Sequence, residues 1–316
     1  MHDDITDVPG IRVGHDTNLT AGTGCTVILC DTPAIGGVDV RGGAPATRET
    51  DLLDPLCLIE EVHGIVLTGG SAFGLEAAHG VMSYLEERNI GYNTGVARIP
   101  IVPAAAIFDL AFGLSQIRPD AAAGYRASEQ ATSQAVEQGN VGAGTGATVS
   151  KMHRPGLAVK GGLGSASVAL ADGIWVGAIV AVNALGDIID PQTQQSITGT
   201  HYQPDSASPP PNPFGNTTIA VIATNASLTK AEINKVAQMA HDGMAHVIRP
   251  AHTMFDGDTI FALSLGPRPT TQPNPAISAQ HVSILGAAAA TTLARAIIKA
   301  IRHASDLHGV SASSNR

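Results

Sequence analysis

Aromatic and charged residues are scarce in this chain of 316 residues. Aromatics make up 3% of it and charged residues 14%, whereas 44% is hydrophobic and 35 residues are glycine. Intrinsic disorder requires high charge and low hydrophobicity, so this composition excludes a disordered chain. Abundant small residues favour side chains packed closely in layers, and the length suffices for a sizeable core in one large domain or two ordinary ones.

Cysteine is also rare. The chain has three, Cys25, Cys30 and Cys57, an odd number without a Cys-x-x-Cys pair. This pattern predicts neither a disulfide framework nor a zinc site. His241 and His246 are five positions apart on a predicted helix, whereas zinc ligands of the HExxH type are four apart and share one face. We therefore expect free thiols, no metal and no cofactor.

Basic runs and a leader segment are lacking as well. The net charge is −9, from 27 acidic and 18 basic residues, which argues against a nucleic-acid partner. The start, MHDDITDVPG, is acidic and has no apolar segment typical of a signal peptide. The apolar stretch 284–301 contains Arg295 and Lys299, which predicts a packed helix rather than a membrane span. We expect a cytoplasmic protein with no membrane partner.

Apolar runs and helical periodicities alternate in blocks along the chain. The predicted strands include 24–31, 63–70 and the run TTIAVIATN, and the predicted helices include 71–90, 121–138 and 281–303. Ser71 is a plausible N-cap of the first helix. This order favours a layered α+β sandwich over a doubly wound sheet.

The domain organisation follows from two polar segments. Residues 191–216 are polar and proline-rich, which predicts a flexible linker. Residues 309–316 predict a disordered tail, so the single domain is expected to span 1–308.

Two glycine-rich motifs do not match known nucleotide or nucleophile motifs. GAGTG at 142–146 lacks the third glycine and the acidic residue of a dinucleotide site. GGSAFG at 69–74 has Phe73 where a nucleophile elbow requires glycine, and it lacks the GK[ST] of a phosphate loop. We interpret it as a tight turn whose following helix N-terminus could help to bind an anion or a carbonyl oxygen.

Three polar features remain as candidates for chemistry. The first is Asn216-Thr217, at the end of the linker. The second is the pair Asp256 and Asp258 at a strand start, where alternate residues of an extended chain point the same way. The third is Asn183 at the end of an apolar strand, together with Lys151. Each feature alone has an ordinary structural interpretation: a loop entering a strand, a solvated turn, a hydrogen-bonded strand Asn and a solvated Lys.

Together these features fit one chemistry. The Thr217 hydroxyl can attack the carbonyl of Asn216 and form an ester, which water then hydrolyses. The product is a free α-amino group on Thr217, whose ordinary pKa is about 7.7–8.0. This amine can take the proton of its own hydroxyl, the N-terminal-threonine arrangement. The chain would then consist of an α chain, 1–216, and a β chain, 217–316.

Several segments carry a resemblance that covers nearly the whole chain. They are ITDVPGIRVGH, VRGGAPATRETDLL, LTGGSAFGLEAAHGV, GNTTIAVIATNASL, HTMFDGDTIFAL and the last helix. By these segments the chain resembles the DmpA/BapA family of N-terminal-nucleophile aminopeptidases, which includes the nylon-oligomer hydrolase NylC. The resemblance implies a four-layer αββα sandwich, cleavage between Asn216 and Thr217, α and β chains that stay together, and a homo-oligomer, which we expect to be a tetramer.

The resemblance also implies roles for individual residues. Thr217 matches the family's nucleophile, and Lys151, Asn183, Asp256 and Asp258 match polar residues around it in the NylC-like branch. We assign Asn183 as the oxyanion donor. Lys151 is expected to give electrostatic support and to stay charged, and the two aspartates to orient Thr217 and its amine.

One departure limits what the resemblance says about substrates. Phe108 stands where some members have a tyrosine near the site, so that hydroxyl has no counterpart here. The expected function is a self-processing amide hydrolase that acts on small peptides, amino-acid amides, or β-amino or ω-amino oligomers. Two alternatives stay open: an acyltransferase that uses the same acyl-threonine, as in ornithine acetyltransferases, and an unprocessed, non-catalytic protein that binds a small molecule.

Overall fold

The computed structural model describes residues 1–152, 158–199, 215–267 and 275–313. The strands in these residues are β1 (Ile11–Asn18), β2 (Thr23–Val40), β3 (Thr47–Arg48), β4 (Glu61–Thr68), β5 (Tyr92–Asn93), β6 (Arg98–Ile99), β7 (Ala104–Ala106), β8 (Thr148–Val149), β9 (Val159–Lys160), β10 (Gly162–Ala169), β11 (Trp175–Asn183), β12 (Asp187–Ile188), β13 (Thr217–Thr224), β14 (Ile248–Arg249) and β15 (Thr259–Ser264). The helices are α1 (Ala77–Glu86), α2 (Ala121–Glu129), α3 (Lys230–Val247) and α4 (Pro275–Arg302). Short 3₁₀ segments cover Ile5–Asp7, Asp51–Leu53, Ser71–Glu76, Gly142–Gly144 and Ala171–Gly173.

The long strand β2 connects two groups of strands into one hydrogen-bonded sheet. The strand order is β10-β11-β13-β15-β2-β4-β7-β3, with β1 paired to β2. The first part of β2 pairs with β1 and β4, and the part from Ile35 onward pairs with β15. Between Leu29 and Ala34 the register with β4 shifts, an irregularity of the kind that bends a strand.

Three apolar cores separate four layers. In β2, Val27 and Leu29 pack toward α1 and α2, whereas Ile28 packs into a middle core shared with β11, β13 and β15. The outer faces of β11, β13 and β15 form a third core with α3 and α4. Alternate strand residues point to opposite faces, so each group of strands serves two cores. The expected α+β fold, a four-layer αββα sandwich, is confirmed.

Strand β13 is buried on both faces along its whole length. Ile219 and Val221 enter the middle core, and Ala220 and Ile222 enter the core under α3 and α4. This double burial explains the continuous apolar run of its sequence, which alternation alone would not predict. The strand therefore holds its first residue, Thr217, on a rigid element.

Helix α4 starts before the predicted range 281–303 and packs on α3, β10 and β11. By length and composition alone it could cross a membrane, but 61% of its apolar window is buried inside the protein. The contact with β10 is close, since a Cβ at Gly164 would lie 2.1 Å from the backbone oxygen of Ala296. This burial matches the sequence interpretation of a packed helix.

The first predicted helix, 71–90, differs from the observed one at its start. A 3₁₀ segment covers Ser71–Glu76, and α1 begins only at Ala77. Ser71 has a φ of 55°, in the left-handed region, and no side-chain capping bond is formed at this start. The N-cap prediction for Ser71 is therefore wrong. The turn forms instead because Gly70 and Ser71 both adopt positive φ angles.

The second predicted helix, 121–138, is too long. Helix α2 starts where the Asp120 carboxylate caps the backbone N–H of Ala123 at 2.8 Å, and it ends at Glu129. Beyond it, Thr132 exchanges two backbone hydrogen bonds with Val13 of β1, at 2.9 and 3.0 Å. These bonds to the sheet compete with further helical turns, which explains the early end.

The predicted disorder of the C-terminal tail is wrong for residues 309–313. Ala312 is buried, and its N–H donates to the Asp306 carboxylate at 2.7 Å. The carbonyl of Ser311 accepts from the backbone N–H of Lys160 at 2.9 Å. Residues 314–316 lie outside the described part of the chain. The tail contains small residues, which can pack closely, whereas its polar composition indicated disorder.

The predicted linker, 191–216, lies partly outside the described residues, which stop at 199 and resume at 215. Its first part follows the fold: Ile189 bridges to Ser196, and the Thr198 hydroxyl is 2.8 Å from the Ser150 hydroxyl. Residues 215–216 lead directly into β13. The segment 191–199 is therefore tied to the residues next to Lys151.

Lys160 of β9 is fully buried and contacts residues 144–147, which lead to β8. Its Nζ donates to the carbonyl oxygens of Gly144, Ala147 and Gly161 at 3.0, 2.8 and 2.9 Å. An ammonium group has three donors, so these three acceptors satisfy it. Burial lowers the pKa of Lys160 to about 7, and the charge of Asp109 opposes the shift.

The titration of Lys160 predicts how stability depends on pH. The unfolded chain keeps this proton up to the ordinary pKa of 10.5, whereas the folded chain loses it above about 7. The unfolded state therefore binds more protons in this window, and the free energy of unfolding rises with pH. Lys160→Met should reduce that slope by up to about 1.4 kcal/mol per pH unit, measured by urea unfolding between these pKa values. An unchanged slope in a folded variant would contradict the assignment.

Candidate active site

Thr217 is the first residue of β13 and lies opposite Asn183, the last residue of β11, in the antiparallel pair. Thr217 is 4% exposed, and Asn216 before it is 3% exposed. Buried polar groups need hydrogen-bond partners, so the polar groups of this junction must bind neighbouring protein groups instead of water. The peptide between Asn216 and Thr217 is thus enclosed at the end of two buried strands.

Two donors meet at the carbonyl oxygen of Asn216. The Thr217 hydroxyl donates to it, and the backbone N–H of Gly257 donates to it at 3.0 Å. A Cβ at Gly257 would lie 2.8 Å from Thr217 Oγ1 and 2.9 Å from the Ala44 oxygen, so only glycine fits. A fixed N–H at an oxygen that gains negative charge on nucleophilic attack is the geometry of an oxyanion hole. Sequence analysis missed Gly257, although its position between two aspartates was a signal.

Asn183 and Lys151 both contact the carbonyl oxygen of Gly215, one residue earlier. Asn183 Nδ2 donates to it at 3.0 Å, and Lys151 Nζ donates at 2.7 Å. Asn183 Oδ1 accepts from Lys151 Nζ at 2.9 Å and from the Thr148 N–H at 3.0 Å, which fixes the orientation of the amide. In the uncleaved chain the predicted oxyanion donor therefore faces Gly215 rather than Asn216.

The pKa of the Lys151 side chain lies close to neutral pH. Burial lowers the pKa of Lys151 to about 7, while the nearby charge of Asp256 acts in the opposite direction. With this pKa the side chain is only partly protonated at neutral pH, whereas the sequence analysis expected it to stay charged. Among the described residues Nζ has three oxygen acceptors, two on Asn183 and one on Gly215, and the charged form can donate to all three.

Asp258 connects the nucleophile strand to the loop before β15. Its Oδ1 accepts from the backbone N–H of Thr218 at 2.7 Å. Its Oδ2 accepts from the backbone N–H and from the ring Nδ1 of His252, at 3.0 and 2.8 Å. The carboxylate is 2% exposed, so these bonds replace water. Asp258 thereby fixes the peptide that follows Thr217.

Asp256 serves different partners. Its Oδ2 accepts from the backbone N–H and the hydroxyl of Thr253, at 2.9 and 2.5 Å, and its Oδ1 from the Leu185 N–H at 3.4 Å. Burial raises the pKa of Asp256, and the negative charge of Asp258 adds to that shift. Both aspartates precede β15 rather than lying within it. Their carboxylates bind different segments: Asp258 binds the start of β13, and Asp256 binds its own loop and Leu185.

Residues 41–44, RGGA, donate backbone hydrogen bonds to the loop that carries the two aspartates. The N–H groups of Arg41 and Gly42 donate to the Asp258 carbonyl at 3.0 and 3.2 Å, and that of Ala44 donates to the Asp256 carbonyl at 2.9 Å. A Cβ at Gly42 would lie 2.3 Å from the Asp256 oxygen. The glycine therefore permits a backbone approach that any side chain would block.

Phe108 lines the same junction. Its carbonyl oxygen accepts from Asn183 Nδ2 at 3.2 Å. Its ring lies 3.2 Å from where a Cβ of Gly215 would be, and Gly215 has a φ of 129°. The residue that departs from the family pattern is thus in contact with the segment before the Asn216–Thr217 peptide.

The other sequence motifs have structural roles. The turn GGSAFG binds an anion of the protein itself, because the Gly70 N–H donates to the Asp109 carboxylate at 2.7 Å. His241 is buried with Nε2 3.0 Å from the Asp39 carbonyl oxygen, while His246 is exposed. Among the described residues, no group of three or more His, Cys, Asp or Glu side chains could hold a metal ion.

The sequence model of peptidase family S58 matches residues 3–314. An uncharacterized aminopeptidase of Mycobacterium tuberculosis is 43% identical over 97% of this chain and 95% of its own length. A 6-aminohexanoate-oligomer endohydrolase of Kocuria sp. is 34% identical over 94% of this chain and 85% of its own.

Solved structures agree on the fold. A β-aminopeptidase of Burkholderia sp. superposes with a TM-score of 0.75 and 23% identity, covering 99% of this chain and 91% of that one. The L-aminopeptidase D-Ala-esterase/amidase of Ochrobactrum anthropi, described as a variant of the Ntn-hydrolase fold, gives 0.76 at 20% identity, with coverage of 97% and 87%. The family match, together with these relatives, shows that the chain belongs to peptidase family S58, the DmpA/BapA family, and that it is a hydrolase of peptide or amide bonds.

Proposed function

We propose that this protein cleaves itself between Asn216 and Thr217 and then hydrolyses amide bonds with Thr217 as its N-terminal nucleophile. The observation that carries the proposal is the pair of donors at the Asn216 carbonyl: the Thr217 hydroxyl and the Gly257 N–H, which is 3.0 Å away. The attacking group and a group that stabilises the resulting charge therefore meet at one carbonyl.

Self-cleavage proceeds as an acyl shift followed by hydrolysis. Thr217 Oγ1 forms a bond to the carbonyl carbon of Asn216 while its proton passes to the peptide nitrogen of Thr217. The C–N bond then breaks and leaves an ester between Asn216 and the hydroxyl of Thr217. Water then hydrolyses that ester: its hydroxyl adds to the acyl carbon of Asn216, which becomes a carboxylic acid that ionises, and its other proton goes to Oγ1. The Gly257 N–H binds the oxyanion in the first step.

Cleavage exposes the groups that would bind a substrate. In the uncleaved chain Asn183 Nδ2 and Lys151 Nζ are occupied by the Gly215 carbonyl. Departure of the new α-chain end frees both donors next to the nucleophile. A substrate carbonyl oxygen then takes the place of the Gly215 oxygen, which gives Asn183 its oxyanion role and Lys151 its supporting charge.

The free α-amine of Thr217 acts as the general base for each turnover. It takes the hydroxyl proton as Oγ1 attacks the substrate, and returns it to the leaving amine. The substrates are small peptides, amino-acid amides, or β-amino or ω-amino oligomers. The names of the relatives, an aminopeptidase and a 6-aminohexanoate-oligomer endohydrolase, support this range.

The two chains stay together after cleavage because they share the sheet and the cores. β13 pairs with β11, β15 pairs with β2, and α4 packs on β10 and β11. Every one of these contacts joins residues before 216 to residues after it. We propose further that processed protomers assemble as a homo-oligomer, following the family resemblance.

Processing depends on the Thr217 hydroxyl. The purified wild type should consist of two chains, 1–216 and 217–316, whereas Thr217→Ala should remain one chain, because it lacks the attacking oxygen. Intact mass spectrometry distinguishes the two results. Thr218→Val is the matched control: it alters the neighbouring buried threonine without removing the nucleophile, so it should still be cleaved. Cleavage of Thr217→Ala would instead assign the cut to an outside protease.

Turnover depends on the amide of Asn183. In processed enzyme, Asn183→Ala should lower kcat by roughly 10²–10³, the usual loss for one oxyanion donor. The KM should change little, because the bond strengthens in the transition state. Steady-state kinetics on a p-nitroanilide of a small amino acid measures both constants. A change confined to KM would mean that Asn183 binds the ground-state substrate only.

Hydrolysis and acyl transfer differ in what attacks the acyl-threonine. With an acyl donor, we expect release of the free acid at the same rate whether or not an acceptor amine is present. Product analysis by mass spectrometry, with and without an amino-acid acceptor, tests this. An acylated acceptor as the main product would favour the acyltransferase alternative. An uncleaved wild-type chain without turnover would favour the non-catalytic binding protein.

A further inference from the structure

His252 makes two hydrogen bonds to a single oxygen of Asp258. Its backbone N–H lies 3.0 Å and its ring Nδ1 2.8 Å from Oδ2. The other oxygen of the same carboxylate accepts from the Thr218 N–H at 2.7 Å. His252 and the strand that begins with Thr217 are therefore joined through one buried carboxylate.

The backbone of His252 is held in an unfavourable conformation. Its φ is 58°, in the left-handed region, which few residues other than glycine adopt. Such conformations persist where surrounding bonds over-determine them, and they concentrate at functional sites. Here that conformation lets the backbone N–H and the ring Nδ1 reach the same oxygen.

The ring of His252 is fixed on its other side by His241. The two rings meet edge to face, with centroids 4.8 Å apart and planes at 76°. His241 Nε2 is 3.0 Å from the Asp39 carbonyl oxygen, and burial lowers the pKa of His241 to about 4, so this ring is neutral at pH 7. His252 Nε2 is buried and has no hydrogen-bond partner among the described residues. The polar function of the His252 ring is thus its bond to Asp258.

We propose that His252 is a positioning residue for self-cleavage and turnover. It donates Nδ1–H to the Asp258 carboxylate, which can only accept, and so fixes the direction in which that carboxylate holds the Thr218 N–H. The hydroxyl of Thr217 is placed by that peptide and not by any bond to His252. The inference rests on the proposed self-cleavage and adds the residue that aligns the nucleophile.

His252→Asn and His252→Asp introduce side chains of the same size, so a comparison of the two separates the effect of the hydrogen-bond donor from the effect of side-chain shape. Asn and Asp are equal in size, and both tolerate a left-handed backbone. Asn can donate to Asp258, whereas Asp can only accept and places a like charge beside it. His252→Asn should therefore self-cleave within about threefold of the wild-type rate, and His252→Asp should be about 10- to 100-fold slower, as expected for loss of a hydrogen bond to a charged group.

The rate of self-cleavage is measured on freshly expressed precursor by intact mass over time. In the processed variants kcat should fall in the same order, with KM changed less than about threefold, because the nucleophile rather than the bound substrate is displaced. His246→Asp is the control for an added charge, since His246 is an exposed histidine of α3, and it should keep the wild-type rate. Thermal unfolding checks that each variant is folded.

If His252→Asp does not fold, His252→Gly gives the same test, because glycine suits the positive φ and has no donor ring. Slow cleavage in this variant, with rescue in His252→Asn, supports the inference. Equal rates in folded Asn and Asp variants, or a loss confined to KM, would overturn it. A wild-type chain that never cleaves would refute the proposed function instead, so the two failures are distinguishable.

Discussion

The peptide bond between Asn216 and Thr217 is held rigidly against the hydroxyl of the residue that follows it. The carbonyl oxygens of Gly215 and Asn216 are both bound by fixed donors, from Lys151 and Asn183 on the first and Gly257 on the second. The Thr217 hydroxyl has little freedom, because β13 is buried on both faces. Holding reacting groups in place lowers the entropic cost of reaction, which supports the proposed cleavage of this bond without a protease.

The electrostatics of the site follow from the same burial. Both aspartates use their oxygens to hold backbone and loop groups, and the pKa of Asp256 is raised by burial and by Asp258. Burial lowers the pKa of Lys151 to about 7, and Nζ donates hydrogen bonds to two oxygens of Asn183 and one of Gly215. The site therefore places the Lys151 amine next to a carbonyl, while the carboxylate of Asp258 aligns the strand.

The candidate residues of the site could be found in the sequence because several of them stand at strand ends, whereas their roles came from the family resemblance. Thr217 and Asn183 stand at the ends of apolar runs, and adjacent buried strands bring such ends together. For Gly257 the sequence offered only its position between two aspartates, because a backbone N–H carries no side-chain signal, and the role of His252 depends on a positive φ that the sequence does not show. The four layers were expected from the family resemblance, whereas composition alone indicated only close packing. The early end of α2 and the ordered tail follow from long-range hydrogen bonds that local patterns do not encode.

Self-cleavage would make Thr217 the N-terminal residue of a separate chain. N-terminal sequencing of the smaller chain of the purified protein tests it most directly. The sequence should begin Thr217, Thr218, Ile219, with a free α-amine at the first cycle. A start at any other residue, or a blocked N-terminus, would refute cleavage before Thr217, because neither provides a free amine beside the Thr217 hydroxyl.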